Sequence, residues 1–288
     1  MIVYDFFHDD RVTAGFSERS GGVSPKPVNA LNLSFTREPE SRDNVLENHR
    51  IAAAQLGVPF ESITRMPQLH GDNILRVTRE LRGCGVTRPF PPEAAGGFDG
   101  LITDEAGITL STTHADCTPV LLWDPVKCAI AAVHSGWKGT CLKIAARAVE
   151  RMTAEFGSAP ADIKAIIGPS ISKACFEVRA DVLSEFKKAF AGAGEAFAHL
   201  TDGPCGDPRD PKWHVDMRGF VKLALIEAGI AEAHILDDAL CTYTLEDRFF
   251  SHRRDGGRSG AMASFIYIKP DAAAAVSYAE DNGRGTAL

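Results

Sequence analysis

Residues 108–113, 120–123 and 129–134 are short apolar runs, partly β-branched, set close together in the chain. Bounded apolar runs of this length read as buried strands. The turn Asp124-Pro125-Val126-Lys127 separates the last two, as a hairpin loop would. Residues 139–156 follow, with Leu142, Ala145, Ala146, Val149, Met152 and Phe156 on one helical face. A chain with such a centre has to build a sheet and cover it with helices.

The flanking segments extend this pattern. Residues 11–24 read as a short strand running into a turn-rich loop, Arg19-Ser20-Gly21-Gly22-Val23-Ser24. Residues 43–57 have helical spacing, with Ser41 or Asp43 to cap and Gly57 to stop the helix. Strands are expected at 63–70 and 73–79 around His70-Gly71-Asp72, and at 163–167 and 263–268. Helices are expected at 178–191 and 214–228, and a surface excursion at the Gly- and Pro-rich residues 82–98. The polar tail after 268 is expected to be mobile. The strands cluster instead of alternating with helices, and no Gly-x-Gly-x-x-Gly or P-loop is present. The fold class is therefore α+β, a mixed β-sheet sandwich flanked by helices, with residues 1–288 as a single domain.

Composition narrows the setting. No run approaches the roughly 18 apolar residues of a membrane span. The N-terminal residues carry acid where a signal peptide needs base, so a cytoplasmic location is expected. The formal net charge of -7 argues against a nucleic-acid partner, which calls for a basic face. The seven cysteines are scattered, without a Cys-x-x-Cys pair, and read as thiols and not as a disulfide framework.

Chemistry-bearing residues gather at the strand ends. His114-Ala115-Asp116-Cys117 lies between two strands, His134-Ser135-Gly136-Trp137-Lys138-Gly139 closes one, and Gln68-Leu69-His70-Gly71-Asp72 forms a turn. Two readings stand side by side. In one, His70, Cys117 and His134 bind a catalytic zinc, leaving a fourth position open. In the other, Cys117 is the nucleophile and His134 or His114 its base. His8, His49, His199, His214 and His234 have no partner pattern and read as structural or surface residues.

The motifs taken together are similar to those of the YfiH or laccase-domain family, also called multicopper polyphenol oxidase-like proteins or peptidoglycan editing factors. The segments are Arg19–Ser24, Ala30-Leu31-Asn32-Leu33-Ser34, Gln68–Gly71 and Phe98-Asp99-Gly100-Leu101-Ile102-Thr103. They continue with Thr113–Leu122, Val133–Gly139, Ile167-Gly168-Pro169-Ser170-Ile171, Cys241-Thr242 and Phe250–Asp255. The resemblance implies an αββα sandwich related to bacterial cysteine-hydrolase toxins, with metal on His70, Cys117 and His134. It implies a zinc-dependent purine nucleoside phosphorylase acting on adenosine, inosine, guanosine and methylthioadenosine, with adenosine deaminase activity. Its partners are then a small-molecule nucleoside and phosphate.

Three alternatives accompany that implication: a peptidoglycan precursor editing hydrolase, a copper polyphenol oxidase and a cysteine hydrolase using Cys117. Copper oxidation fits the residues poorly, because the nine histidines form no His-x-His pair and Met66 reads as packing. For the zinc chemistry, Asp116 is a candidate proton-shuttling carboxylate, or a residue that orients a histidine ligand. Arg19, Lys138 and Arg253 are candidates for binding substrate or phosphate. Lys138 stands where the family more usually has arginine, which keeps the charge and loses the planar fork. Trp137 and Phe250 are candidates to stack on a purine, and His252 to contact substrate.

Overall fold

Leu121 and Trp123 face one hydrophobic core, while Val120 and Leu122 face another. Side chains of a strand alternate between its two faces, so an unbroken apolar run fits only where both faces are covered. A computed structural model describes residues 1–92 and 96–270 of the chain. The polar tail expected to be mobile lies, from residue 271 on, outside the described residues.

In chain order the strands and helices are β1 (Ile2–Val3), β2 (Val12–Phe16), α1 (Arg42–Leu56), β3 (Ile63–Thr64), β4 (Ile74–Arg76) and β5 (Gly100–Thr103). Then come β6 (Thr109–His114), β7 (Thr118–Asp124), β8 (Ala129–Ser135), α2 (Trp137–Cys141), α3 (Ile144–Phe156) and β9 (Lys164–Ile167). The last are β10 (Glu177–Val178), α4 (Ala180–Ala189), α5 (Glu195–Leu200), β11 (Trp213–His214), α6 (Met217–Glu227), β12 (Ile235–Asp237) and β13 (Met262–Ile268).

Two mixed sheets form the centre, in the orders β1-β2-β13-β6-β3 and β12-β9-β7-β8-β5-β4. They pack face to face, and Phe16, Leu110 and Ile266 of the first meet Leu121, Trp123 and Ile130 of the second. The outer face of the first sheet carries Phe265 and Tyr267 against Ala52, Ala53 and Leu56 of α1. The outer face of the second carries Val120, Leu122 and Ala131 against Val149 and Met152 of α3 and Val221 and Leu225 of α6. The layering is αββα, as the resemblance implies. Among the described residues, no helix is long and apolar enough to cross a membrane.

Local signals set several boundaries. Ser41 caps α1 by accepting from the Asn44 N–H, and Gly57 ends it at φ 75°, a left-handed position that glycine adopts without strain. The β7–β8 hairpin closes on Asp124, whose Oδ1 accepts from the N–H groups of Val126 and Lys127.

Two expectations change. The single helix over 139–156 is broken by Lys143 at φ 56°, giving α2 and α3. The strands expected at 63–70 and 73–79 shrink to β3 and β4, and these do not pair with each other. β3 runs parallel to β6 in one sheet and β4 parallel to β5 in the other. The chain from Arg65 to Asn73 therefore crosses between the sheets at one end of the sandwich, carrying His70 with it.

Candidate metal centre

Three sheet-end segments place the candidate ligands. His70 lies on the crossing segment with its backbone at φ 59°. Cys117 lies between β6 and β7, directly after Asp116 at φ 86°. His134 stands near the end of β8, 2% exposed. Left-handed backbone is uncommon outside glycine and persists where the surroundings enforce it. The ligand atoms of His70, Cys117 and His134 all lie within 4.8 Å of one another. The two imidazoles meet edge to face, with ring centroids 4.9 Å apart.

Gly136 floors the cluster. A Cβ there would sit 2.9 Å from His70 Cδ2 and 3.2 Å from Cys117 Sγ. Two imidazoles and a thiol around a gap that glycine keeps clear form a donor set suited to a transition metal. The sulfur also carries the right charge. Burial pushes the Cys117 thiol up, but the adjacent His134 and His70 rings outweigh it and bring it down. Burial likewise pushes His134 down, and the Cys117 sulfur and the Asp99 carboxylate outweigh it and hold it up. The sulfur is thus disposed to be a thiolate, the form that binds metal.

Asp99 is the residue that sequence reasoning missed. Its Oδ1 lies 2.8 Å from His134 Nδ1. It also accepts from the backbone N–H groups of Leu69, His70 and Gly71 at 2.8–3.0 Å. One carboxylate, 1% exposed, thereby sets the ring of one candidate ligand and the turn that carries another. Its signal was its place in the Phe98–Thr103 motif, to which no role had been given.

Among the described residues, Asp116 hydrogen-bonds no histidine. Its Oδ1 accepts from Thr242 Oγ1, and its Oδ2 from Ser251 Oγ and the Arg253 N–H. These bonds anchor the 251–254 loop beside Cys117. His114 is 3% exposed, and among the described residues neither ring nitrogen has a hydrogen-bond partner.

A cavity of about 870 Å³ opens over the cluster, and His114, Asp116, Trp137, His252 and Arg253 help to line it. Arg253 Nη1 donates to the Glu177 carbonyl. Arg19 and Lys138 are not in its wall. Arg19 donates to the carbonyls of Asn29 and Glu246 and stacks on Phe250, which is wholly buried. Lys138 is exposed and sits over the Trp137 ring. Of the two aromatic candidates for stacking, Trp137 alone reaches the cavity. Met66 packs in the core between the sheets, so it brings no thioether to the cluster.

A second grouping, Glu177, Cys205 and His214, has ligand atoms within the same 4.8 Å. The Lys212 ammonium lies 3.3 Å from Glu177 there and competes with any cation.

Residues 13–269 match the family model described as multi-copper polyphenol oxidoreductase laccase. The chain is 34% identical to the purine nucleoside phosphorylase YlmD of Bacillus subtilis (strain 168), over 91% of this chain and 90% of that protein. It is 33% identical to adenosine deaminase RL5 from an unknown prokaryotic organism, over 78% of this chain and 82% of that one. The crystal structure of the hypothetical protein YfiH of Bacillus licheniformis superposes with a TM-score of 0.82 at 33% identity, covering 90% of this chain and 94% of that chain. With the family model matching residues 13–269 and a curated relative matched over about nine-tenths of both chains, this protein belongs to the multi-copper polyphenol oxidoreductase laccase family, the YfiH-like proteins.

Proposed function

We propose that this chain is a zinc-dependent purine nucleoside phosphorylase, acting on adenosine, inosine, guanosine and methylthioadenosine, that also deaminates adenosine. We take it to work in the cytoplasm as a single domain over residues 1–288. The observation that carries this reading is the convergence of His70, Cys117 and His134 around a gap floored by Gly136. Three protein donors of this kind leave a coordination position for water or substrate. When bound, zinc supplies a Lewis acid that polarises an oxygen and eases its deprotonation near neutral pH. The relatives named for phosphorolysis and for adenosine deamination support the substrate class.

The chain's own residues do the positioning. Asp99 fixes the His134 ring through Nδ1, which leaves Nε2 facing the cluster. Thr242, Ser251 and the Arg253 N–H hold Asp116, so that its carboxylate and the 251–254 loop stay beside Cys117. Trp137 and Phe176 give the cavity aromatic walls against which a purine can lie.

The test is direct. Zinc-loaded protein is incubated with adenosine, with and without phosphate, while adenine, inosine and hypoxanthine are followed. Adenine that depends on phosphate and inosine that does not are the expected products; no turnover by fully loaded protein would sink the reading.

One observation favours a second reading. Asp99, His134 and Cys117 stand in the order orienter, base and nucleophile, the arrangement of a cysteine hydrolase. Metal analysis of Cys117→Ala separates the two. Loss of zinc supports the metal centre, and full zinc occupancy supports the nucleophile.

A further inference from the structure

Five arginines help to line the cavity, and three of them are already engaged. Arg42 donates to the Val86 carbonyl, Arg88 to those of Glu80 and Arg82, and Arg253 to that of Glu177. Arg37 and Arg65 differ. Among the described residues, neither has a carboxylate partner, and the buried Nε of each has no acceptor.

Arg65 is 7% exposed. Among the described residues its guanidinium has one hydrogen bond, a long one of 3.4 Å from Nη2 to Thr113 Oγ1, and it lies over the Phe35 ring. Burial pulls its pKa down to about 10, so it stays charged near neutral pH. A buried charge without a partner is costly unless the partner arrives from outside. Arg37 is half-buried, and burial lowers its pKa against the opposing pull of Cys117 and Asp116. Arg37, Asp116 and Cys117 line the same cavity. An anion entering beside a thiolate and a carboxylate needs positive charge, which two guanidinium groups lining the same cavity supply, and the planar fork of an arginine matches phosphate oxygens.

We propose that Arg37 and Arg65 form the subsite for inorganic phosphate, in the cavity beside His70, Cys117 and His134. This rests on the phosphorolysis reading and supplies the phosphate site that Arg19 and Lys138, outside the cavity wall, do not. The step it serves is balanced. A phosphate oxygen forms a bond to ribose C1′ as the bond from C1′ to the purine nitrogen breaks. The electron pair leaves with the base, which takes up one proton, and the other product is ribose 1-phosphate.

The test compares zinc-loaded wild type, Arg37→Gln and Arg65→Met. Phosphate binding is read by calorimetric titration and by the shift in melting temperature, at fixed ionic strength. A parallel arm uses uridine monophosphate to separate free phosphate from a phosphate ester. Wild type is expected to bind inorganic phosphate and melt higher in its presence, and to respond less to the ester. Both variants are expected to lose the response, with KM for phosphate up about 10- to 100-fold, as for the loss of one charge-assisted hydrogen bond. Their ratio of phosphorolysis to deamination falls in step.

Without phosphate, Arg65→Met is expected to melt at or above the wild-type temperature, because it removes an unpaired buried charge. A clear fall would mark Arg65 as a structural residue and overturn its part. A wild type indifferent to phosphate, variants that bind it as wild type does, or a preference for the ester would overturn the subsite. Loss of phosphate binding in both variants supports the subsite even where wild type turns over no nucleoside; that result would count against the phosphorylase reading instead.

Discussion

Asp99 holds His134 through a 2.8 Å contact from Oδ1 to Nδ1, while the same carboxylate accepts three backbone N–H groups of the His70 turn. The two histidines of the cluster are therefore positioned by one side chain. Burial pushes Asp99 up, and the His134 ring with the N–H groups of Gly71 and Leu69 outweighs it, so the carboxyl stays below its ordinary range. Asp99→Asn retains an acceptor but loses the charge. It is expected to lower zinc affinity and activity about 10- to 100-fold, the usual effect of removing such a partner. Competition with a chromogenic chelator measures the first, and nucleoside turnover the second.

Gly136→Ala tests the floor of the cluster. Its backbone at φ -73° accepts alanine without strain, but the added Cβ would meet His70 and Cys117. His70 is exposed and can swing away at little cost to the fold. The variant is expected to melt within a few degrees of wild type in the metal-free state, yet to lose activity by about 100-fold, the scale of an ångström of misplacement. Melting curves and kinetics on the same preparation separate the two effects.

The cluster predicts a reactive thiol once metal is stripped. The thiolate is the nucleophile, so alkylation speeds up as pH rises through the pKa. The Cys117 thiol is brought down to about 6, against about 8.5 for a free cysteine. Alkylation rates of metal-free protein, with Cys117→Ser as the blank, are expected to climb between pH 5 and 7. Asp99→Asn is expected to move the climb upward, because it weakens the charge on His134. A midpoint above pH 8 would contradict the ion-pair account.

Two buried histidines contribute to the acid response. Burial pushes both His49 and His114 down to about 3. Between pH 6.5 and 3 the unfolded chain takes up a proton on each, while the folded chain does not. Stability therefore falls as pH falls through this window, by about 1.4 kcal/mol per pH unit for each histidine. His49→Gln is expected to flatten the slope by that amount in urea unfolding at pH 5 to 6. An unchanged slope would show that His49 is charged in the folded state.

The central strands were legible because they are apolar on both faces, and α1 because Ser41 and Gly57 mark its ends. The crossing from β3 to β4 was not, since a Gly-containing turn between two apolar stretches looks the same whether the strands pair or separate into two sheets. His70, Cys117 and His134 stood out as residue types at strand ends, and the family motifs singled them out as a set. Asp99 did not, because a carboxylate next to glycine signals a turn before it signals a partner for a histidine 35 positions away. Arg37 and Arg65 were silent for a related reason. Sequence shows a charge but not whether another charge answers it. Arg19 drew attention from its motif, yet its guanidinium bonds carbonyls and stacks on Phe250.

The zinc proposed on His70, Cys117 and His134 serves phosphorolysis of purine nucleosides. The most direct test of that role is hypoxanthine release from inosine by protein carrying one zinc per chain, with and without phosphate. The account predicts release that requires phosphate, yields ribose 1-phosphate in equal amount, and disappears in His70→Ala together with the metal. Full zinc occupancy with no phosphate-dependent release would contradict it.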